Sequence, residues 1–205
     1  MNTIYLDFDN TITNFDILDF FIDNFLSVKQ RMDFEYQLKA NIITHDVYIE
    51  KVCALFTNLN ISEDMLFRSL YELDIIDPHF NKFASFCYSN NIKIVILSFG
   101  FKQVIQFILK NYNFVVHAND YKIQNDVWIP VLLNKNKEEF ITTPYPKVFI
   151  GDGISDTHVA SKVDILFAKK GYYLEAYCKE NSIKFTQYTD FNDIIKKLMC
   201  ILKNE

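Results

Sequence analysis

The sequence predicts an α/β protein: three layers around a parallel sheet, with a bundle of helices inserted after the first strand. Three observations carry that prediction. The runs Ile4-Tyr5-Leu6, Ile92-Lys93-Ile94-Val95-Ile96-Leu97 and Val148-Phe149-Ile150 are short and almost wholly apolar, as strands covered by helices on both faces are. Each run breaks into polar residues: Asp7-Phe8-Asp9-Asn10-Thr11, Ser98-Phe99-Gly100 and Gly151-Asp152-Gly153-Ile154-Ser155-Asp156. Between the first two runs, residues 14 to 77 show helical spacing and no strand-like segment. The division that follows is an α/β core of residues 1–13 and 78–205, with residues 14–77 as a helical cap roofing the first strand's end.

Taken in order, the first apolar run delivers Asp7 and Asp9 to its carboxyl end. Two carboxylates at i and i+2 repel each other unless a cation or a bound substrate offsets them. Phe15 to Val28 is apolar around much of a helical circumference and reads as a helix buried on more than one side. Further helices are expected over 33–42, 44–56 and 63–73, with Thr44 and Ser62 as N-caps. Asp19 and Asp23 are expected to face solvent on the first of these helices.

Asp77-Pro78 restarts the core pattern, with Asp77 as N-cap and Pro78 at the first helical position. Phe80, Phe83, Ala84 and Cys87 share a face until Asn90 and Asn91 end the helix. After the second strand come a helix over 101–112, a third strand over 114–118, and a hairpin of 121–123 with 127–129. Residues 134–146 are polar and are expected to form a loop with a short helix. Beyond Asp156 a helix reaches about Val163, a strand covers Ile165 to Ala168, and Tyr172 to Asn181 is helical. Ile183-Lys184-Phe185 reads as an edge strand, and Asp190 to Lys203 as an amphipathic closing helix.

Composition removes several classes of function. A net charge of −5 at pH 7 and no basic patch make nucleic acid and anionic membrane poor partners. The chain enters its first strand by residue 3 with no basic leader or long apolar stretch, so neither a signal peptide nor a membrane span is expected, and the cytoplasm is the expected compartment. Cys53, Cys87, Cys178 and Cys200 are widely spaced and read as reduced buried thiols. His45, His79 and His117 show no ligand spacing, and His158 reads as an exposed helix histidine. There are only four glycines, where average usage of about 7% would give roughly fourteen. Gly100, Gly151 and Gly153 all stand at the strand ends named above, where a backbone turns tightly or approaches a ligand.

In open α/β sheets ligands bind beyond the carboxyl ends of the strands. Asp7, Asp9, Thr11, Ser98, Asp152 and Asp156 are therefore expected in one crevice. Carboxylates and hydroxyls without His or Cys select a hard cation, and Mg²⁺ fits, since it accepts carboxylates together with phosphate oxygens and waters.

These segments resemble the four motifs of the haloacid dehalogenase-like hydrolase superfamily in its phosphatase form: Asp7-Phe8-Asp9-Asn10-Thr11, Ser98, a lysine in the loop before the third apolar run, and Gly151 to Asp156. The helical insertion is similar to the cap of the phosphoserine phosphatase-like subgroup. The tail, with Asp164 to Lys169, Tyr177-Cys178, Ile183 to Phe185 and Asp190 to Ile194, resembles the branch of methionine-salvage diketo-methylthio-phosphopentane phosphatases.

The resemblance implies a Rossmann-like core and a Mg²⁺-dependent hydrolysis of a small-molecule phosphate monoester by a monomer or homodimer. Asp7 would be the nucleophile that forms an aspartyl-phosphate, and Asp9 the acid and then the base. Asp7, the Asp9 main-chain carbonyl, Asp152 and Asp156 would hold the metal, with Asp156 acting directly, through water or by orienting the lysine. Thr11, Ser98 and backbone N–H groups, with Gly100 beside them, would bind phosphoryl oxygens. Lys137 fits the motif lysine best, then Lys135, whereas Lys147 leads its strand. Phe99 replaces the small residue often found after the motif serine, which narrows the phosphate-side entrance. Asp16 stands where phosphoserine phosphatases carry an acidic residue for the substrate amino group. The other readings are a phosphoserine phosphatase proper and a receiver-like acidic module that is phosphorylated without turnover.

Overall fold

The computed structural model describes residues 1–202, so Lys203, expected to end the closing helix, lies outside the described residues. Strand β1 (Thr3–Leu6) has β2 (Lys93–Phe101) on one side and β5 (Val148–Gly151) on the other, both parallel to it. With β3 (Val115–Gln124), β4 (Val127–Val131), β6 (Ile165–Lys169) and β7 (Thr186–Tyr188), the described residues form a sheet ordered β4-β3-β2-β1-β5-β6-β7. Only β4 runs antiparallel.

Alternate side chains of each central strand serve different cores, as the two-residue period of a strand requires. Ile4, Leu6, Ile94, Ile96 and Ile150 join a cluster with Phe80 and Phe83 of α5 (Phe80–Ser89), Val104 and Ile105 of α6 (Lys102–Ile108), and Phe191 and Ile194 of α9 (Phe191–Leu202). Tyr5, Val95, Leu97 and Phe149 turn the other way, against Val159 of α7 (Thr157–Ala160) and Leu174 and Cys178 of α8 (Tyr173–Glu180). Three layers result, with β1 buried along its whole length.

The segment between β1 and α5 holds α1 (Ile17–Phe25), α2 (Val28–Lys39), α3 (His45–Asn58) and α4 (Glu63–Ser69). Thr44 and Ser62 cap α3 and α4 by accepting the amides of Val47 and Met65, as expected. Its two ends are laced together: Asn14 donates to Ile75 O at 2.8 Å and Asp77 to Ile12 O at 2.9 Å. Among the described residues no helix is long and apolar enough to cross a membrane.

Several expectations need correction. The helix expected over 15–28 ends at Phe25, and the helix expected over 33–42 begins earlier, at Val28, where Ser27 caps it. Helix α5 starts at Phe80, with Asp77 accepting the His79 amide at 2.8 Å instead of capping the helix. The third strand and the hairpin are one feature: β3 runs unbroken to Gln124 and returns as β4 through Asn125 and Asp126, at φ 50 and 62, the two positive angles a tight two-residue hairpin turn needs. The edge strand lies at Thr186–Tyr188, not 183–185: Ile183 and Phe185 pack against the α8 side of the sheet, and Tyr188 is the residue that enters the core. Cys200 is exposed, while the other three thiols are buried.

Candidate active site

The carboxyl ends of β1, β2 and β5 converge. Asp7, first after β1, is buried and its Oδ1 accepts the Phe8 amide at 2.8 Å. The same oxygen lies 2.7 Å from Lys137 Nζ. Lys137 begins a 3₁₀ turn (Lys137–Phe140) set by Glu139, whose carboxylate accepts the Asn136 amide. Its ammonium also donates to Asp156 Oδ1 at 2.6 Å and Ser155 Oγ at 2.9 Å. Burial opposes the charge on Lys137, but Asp156 and Asp7 together hold its pKa above the ordinary value. Lys135 instead lies over the Phe140 ring, and the Lys147 amide at the head of β5 bonds Asp164.

Asp156 is fully buried, and its second oxygen accepts the amides of Asp152 and Gly153 at 2.9 and 3.0 Å. A Cβ at Gly151 would lie 2.4 Å from that oxygen, so only glycine fits there. Asp152 Oδ1 accepts the Thr11 hydroxyl at 3.0 Å. Thr11, expected on phosphoryl oxygens, is thus turned to Asp152, and the buried Tyr188 hydroxyl approaches it from β7 at 3.5 Å.

Asp7, Asp152 and Asp156 each bring a carboxylate oxygen within 4.8 Å of the others. Burial and then the neighbouring carboxylates push Asp7 up to about 7 and Asp152 well above the usual carboxylate range. One ammonium among three buried carboxylates leaves negative charge uncompensated, and the donors are all oxygen. That combination suits a hard cation, so the cluster is able to hold a metal ion. The Asp9 carboxylate lies outside this group: it accepts the Ile17 amide at 3.0 Å and the Ser98 hydroxyl at 3.4 Å. Burial, and then repulsion from Asp16, raises it well above its ordinary value.

Ser98, Phe99 and Gly100 bulge out of the β2–β3 pairing, since Leu97 stands opposite His117 and Phe101 opposite Asn119. Buried Asn119 holds the bulge by donating to Phe99 O at 2.7 Å. The Gly100 amide donates to Ser98 Oγ at 2.9 Å. A cavity of about 400 Å³ opens over Asp7, Asp9, Asp152, Ser98 and Gly100, and is lined as well by Asp16, Asp19 and Glu35. Asp16 is both a lining residue and the N-cap of α1, accepting the Asp19 amide at 3.0 Å. Asp19, expected in solvent, faces this cavity and is raised to about 8 by burial and then by Asp16 and Glu35. Asp23 instead pairs with Arg31.

Three contributors were not read from the sequence. Lys169, ending β6, donates to Asn10 O and holds the loop after β1. Tyr188 brings its buried hydroxyl to 3.5 Å from Thr11 Oγ1 and Gly151 O, and His45 lines the cavity from α3. The apolar run into Lys169 was the one local signal for a further strand end; the other two depend on contacts distant in sequence.

No family model matches the chain. It is 28% identical to Pdp3-interacting factor 1 of Schizosaccharomyces pombe, over 95% of this chain and 93% of that protein. It is 25% identical to the polyol phosphate phosphatase PYP1 of Saccharomyces cerevisiae, over 98% and 94%. Identity to a 2-hydroxy-3-keto-5-methylthiopentenyl-1-phosphate phosphatase of Bacillus cereus is 27%, over 98% and 97%. Among solved structures, a phospho-aspartyl intermediate analogue of phosphoserine phosphatase superposes with a TM-score of 0.75 at 12% identity, covering 96% of this chain and 98% of that one. Phosphoserine phosphatase from T. onnurineus gives 0.73 at 15% identity, covering 95% and 92%.

Proposed function

The chain has the haloacid dehalogenase-like hydrolase fold in its phosphoserine phosphatase form, and on that premise we propose that it is a Mg²⁺-dependent phosphatase of a small-molecule phosphate monoester. The observation that carries this is the placement of Asp7: its Oδ1 is held by Lys137 while its carboxylate borders both the Asp152–Asp156 cluster and the cavity.

Asp7 attacks phosphorus, forming an aspartyl-phosphate as the leaving alkoxide departs. Lys137 keeps the Asp7 carboxylate oriented and offsets charge gathering on the phosphoryl oxygens. Asp9, kept apart from the cluster and raised by burial, is the group that carries a proton to the alkoxide and then removes one from the water that frees phosphate. Its hydrogen bond from the Ile17 amide fixes it against α1. Ser98 and the amides of the β2 bulge face the phosphoryl oxygens, and Thr11 and Tyr188 steady Asp152 from behind. Asp7, Asp152, Asp156 and the Asp9 main-chain carbonyl would hold Mg²⁺, which when bound supplies charge neutralisation on the phosphate. Residues 14–77 form the cap over this cavity and exclude bulk water during attack.

A receiver-like switch has no use for a leaving-group acid or for a cavity roofed by helices. The test is hydrolysis of p-nitrophenyl phosphate and of an alkyl phosphate with Mg²⁺ and with chelator. The expected result is turnover only with the cation and a loss of about a thousandfold or more in Asp7→Asn, as removal of a nucleophile gives. Asp9→Asn should lose far more on the alkyl ester than on the activated aryl ester in single-turnover measurements. Metal-independent turnover, or full activity in Asp7→Asn, overturns the reading.

A further inference from the structure

A second cavity, of about 650 Å³, lies beside the first, lined by Asn41, Ile43, Thr44, Lys135, His158 and Tyr177 among others. Leu38, Lys39, His45, Phe99, Ile154 and Tyr173 border both spaces and are the wall between them. The two rings in that wall are stacked: the His45 imidazole lies on Phe99 with centroids 4.7 Å apart and planes 17° from parallel. One ring comes from the first turn of α3 and the other from the β2 bulge. The Phe99 ring is also backed by the Lys137 ammonium at 5.7 Å from its centroid, so the partition stands directly against the reacting carboxylate's partner.

Resting on the phosphatase reading, we propose that the His45–Phe99 stack is the end wall of the leaving-group compartment and restricts the enzyme to compact phosphate esters. With the rings stacked, a leaving group occupies only the space bounded by Asp16, Asp19, Glu35 and Tyr48. With either ring removed, the two spaces join and a longer group passes into the outer cavity. Phe99 and His45 are thus specificity-determining residues supplied by opposite sides of the site.

The experiment measures kcat/KM for glycerol 3-phosphate and for 1-naphthyl phosphate in the parent, Phe99→Ala, His45→Ala and His45→Phe, with thermal melting of each. The parent should favour the compact ester. Each alanine variant should raise the bulky-to-compact ratio by about tenfold or more, the scale on which pocket volume discriminates. His45→Phe, which keeps a stacking face, should keep the parental ratio. An unchanged ratio in both folded alanine variants, or an equal fall on both esters, makes the stack a packing contact and overturns the proposal. If Phe99→Ala does not fold, His45→Ala, at the start of a helix, reads the same ratio. If the parent hydrolyses neither of these esters nor p-nitrophenyl phosphate, the phosphatase reading fails; the partition is then read from the dissociation constants of a compact and a naphthyl phosphonate in the same variants.

Discussion

At the scale of single residues, the cavity crowds the carboxyl groups of Asp16, Asp19 and Glu35 together. Asp19 has a folded pKa of about 8, raised by burial and then by Asp16 and Glu35. The folded state therefore holds the Asp19 proton more tightly than the unfolded state between about pH 4 and pH 8, and its contribution to stability declines as pH rises through that window. Asp19→Asn removes the titration. It should raise the melting temperature relative to the parent by more at pH 8 than at pH 5, with no further gain above pH 8; an equal gain at both values would show that Asp19 is not held protonated. The gathering of Asp7, Asp9, Asp152 and Asp156 at one sheet edge was legible because each sits within a few residues of an apolar run: Asp7 and Asp9 after β1, Asp152 and Asp156 after β5. Lys137 was picked out only through the family resemblance, ahead of Lys135 and Lys147, and its ammonium does lie between Asp7 and Asp156. Thr11 was misplaced because its partner, Asp152, is 141 residues away, and nothing in the DFDNT segment says which way the hydroxyl turns.

At the scale of elements, the β3–β4 hairpin does more than extend the sheet. Trp128 in β4 donates its indole N–H to Ile61 O at 2.7 Å, and its backbone amide to Thr57 Oγ1 at 2.9 Å. Its ring meets Phe56 edge-on at 5.2 Å. Tyr121 in β3 donates to Glu63 at 2.7 Å. The hairpin thus grips α3 and the start of α4. Trp128→Phe keeps an aromatic ring but leaves the buried Ile61 carbonyl unbonded, which should cost about 1–3 kcal/mol in chemical denaturation; a cost near zero would mean that the indole bond carries no weight. Element type was read correctly almost throughout, since period and apolar run length are local properties. Continuation of β3 past Ala118 and the position of β7 were not, because both depend on which neighbouring strand is within reach. Thr186 to Tyr188 pairs because it lies beside Phe167 to Lys169, while Ile183 and Phe185 satisfy the same alternation by packing against the core.

At the scale of the whole molecule, the helical segment between β1 and α5 is fastened unevenly. Helix α3 is held by the hairpin, and α4 stacks on α6 through Phe67 and Phe107 at 4.6 Å. Helix α2 has Phe34 as its single fully buried residue, with Leu38 packed partly against the core. Opening over the cavity should therefore be carried by α2 and the loop to Thr44 rather than by hinges at residues 14 and 77, where the two chain segments are hydrogen-bonded across an isolated bridge. Hydrogen exchange should be fast in α2 and slow in α3, with α2 slowing further in the presence of Mg²⁺ and a phosphate analogue. Matching rates in the two helices would instead make the α1–α4 segment a single rigid body.

Asp16 carries a consequence for how this enzyme diverges. The same carboxylate starts α1 and lines the cavity, so a change there is read twice, once by the helix and once by whatever the cavity admits. Asn, Ser and Thr also cap helices well, whereas Ala and most apolar residues cost about 1 kcal/mol at such a position. Position 16 therefore has a short alphabet available to it during evolution, and new substrate preferences should arise more readily by drift at Glu35 or Tyr48, which cap nothing.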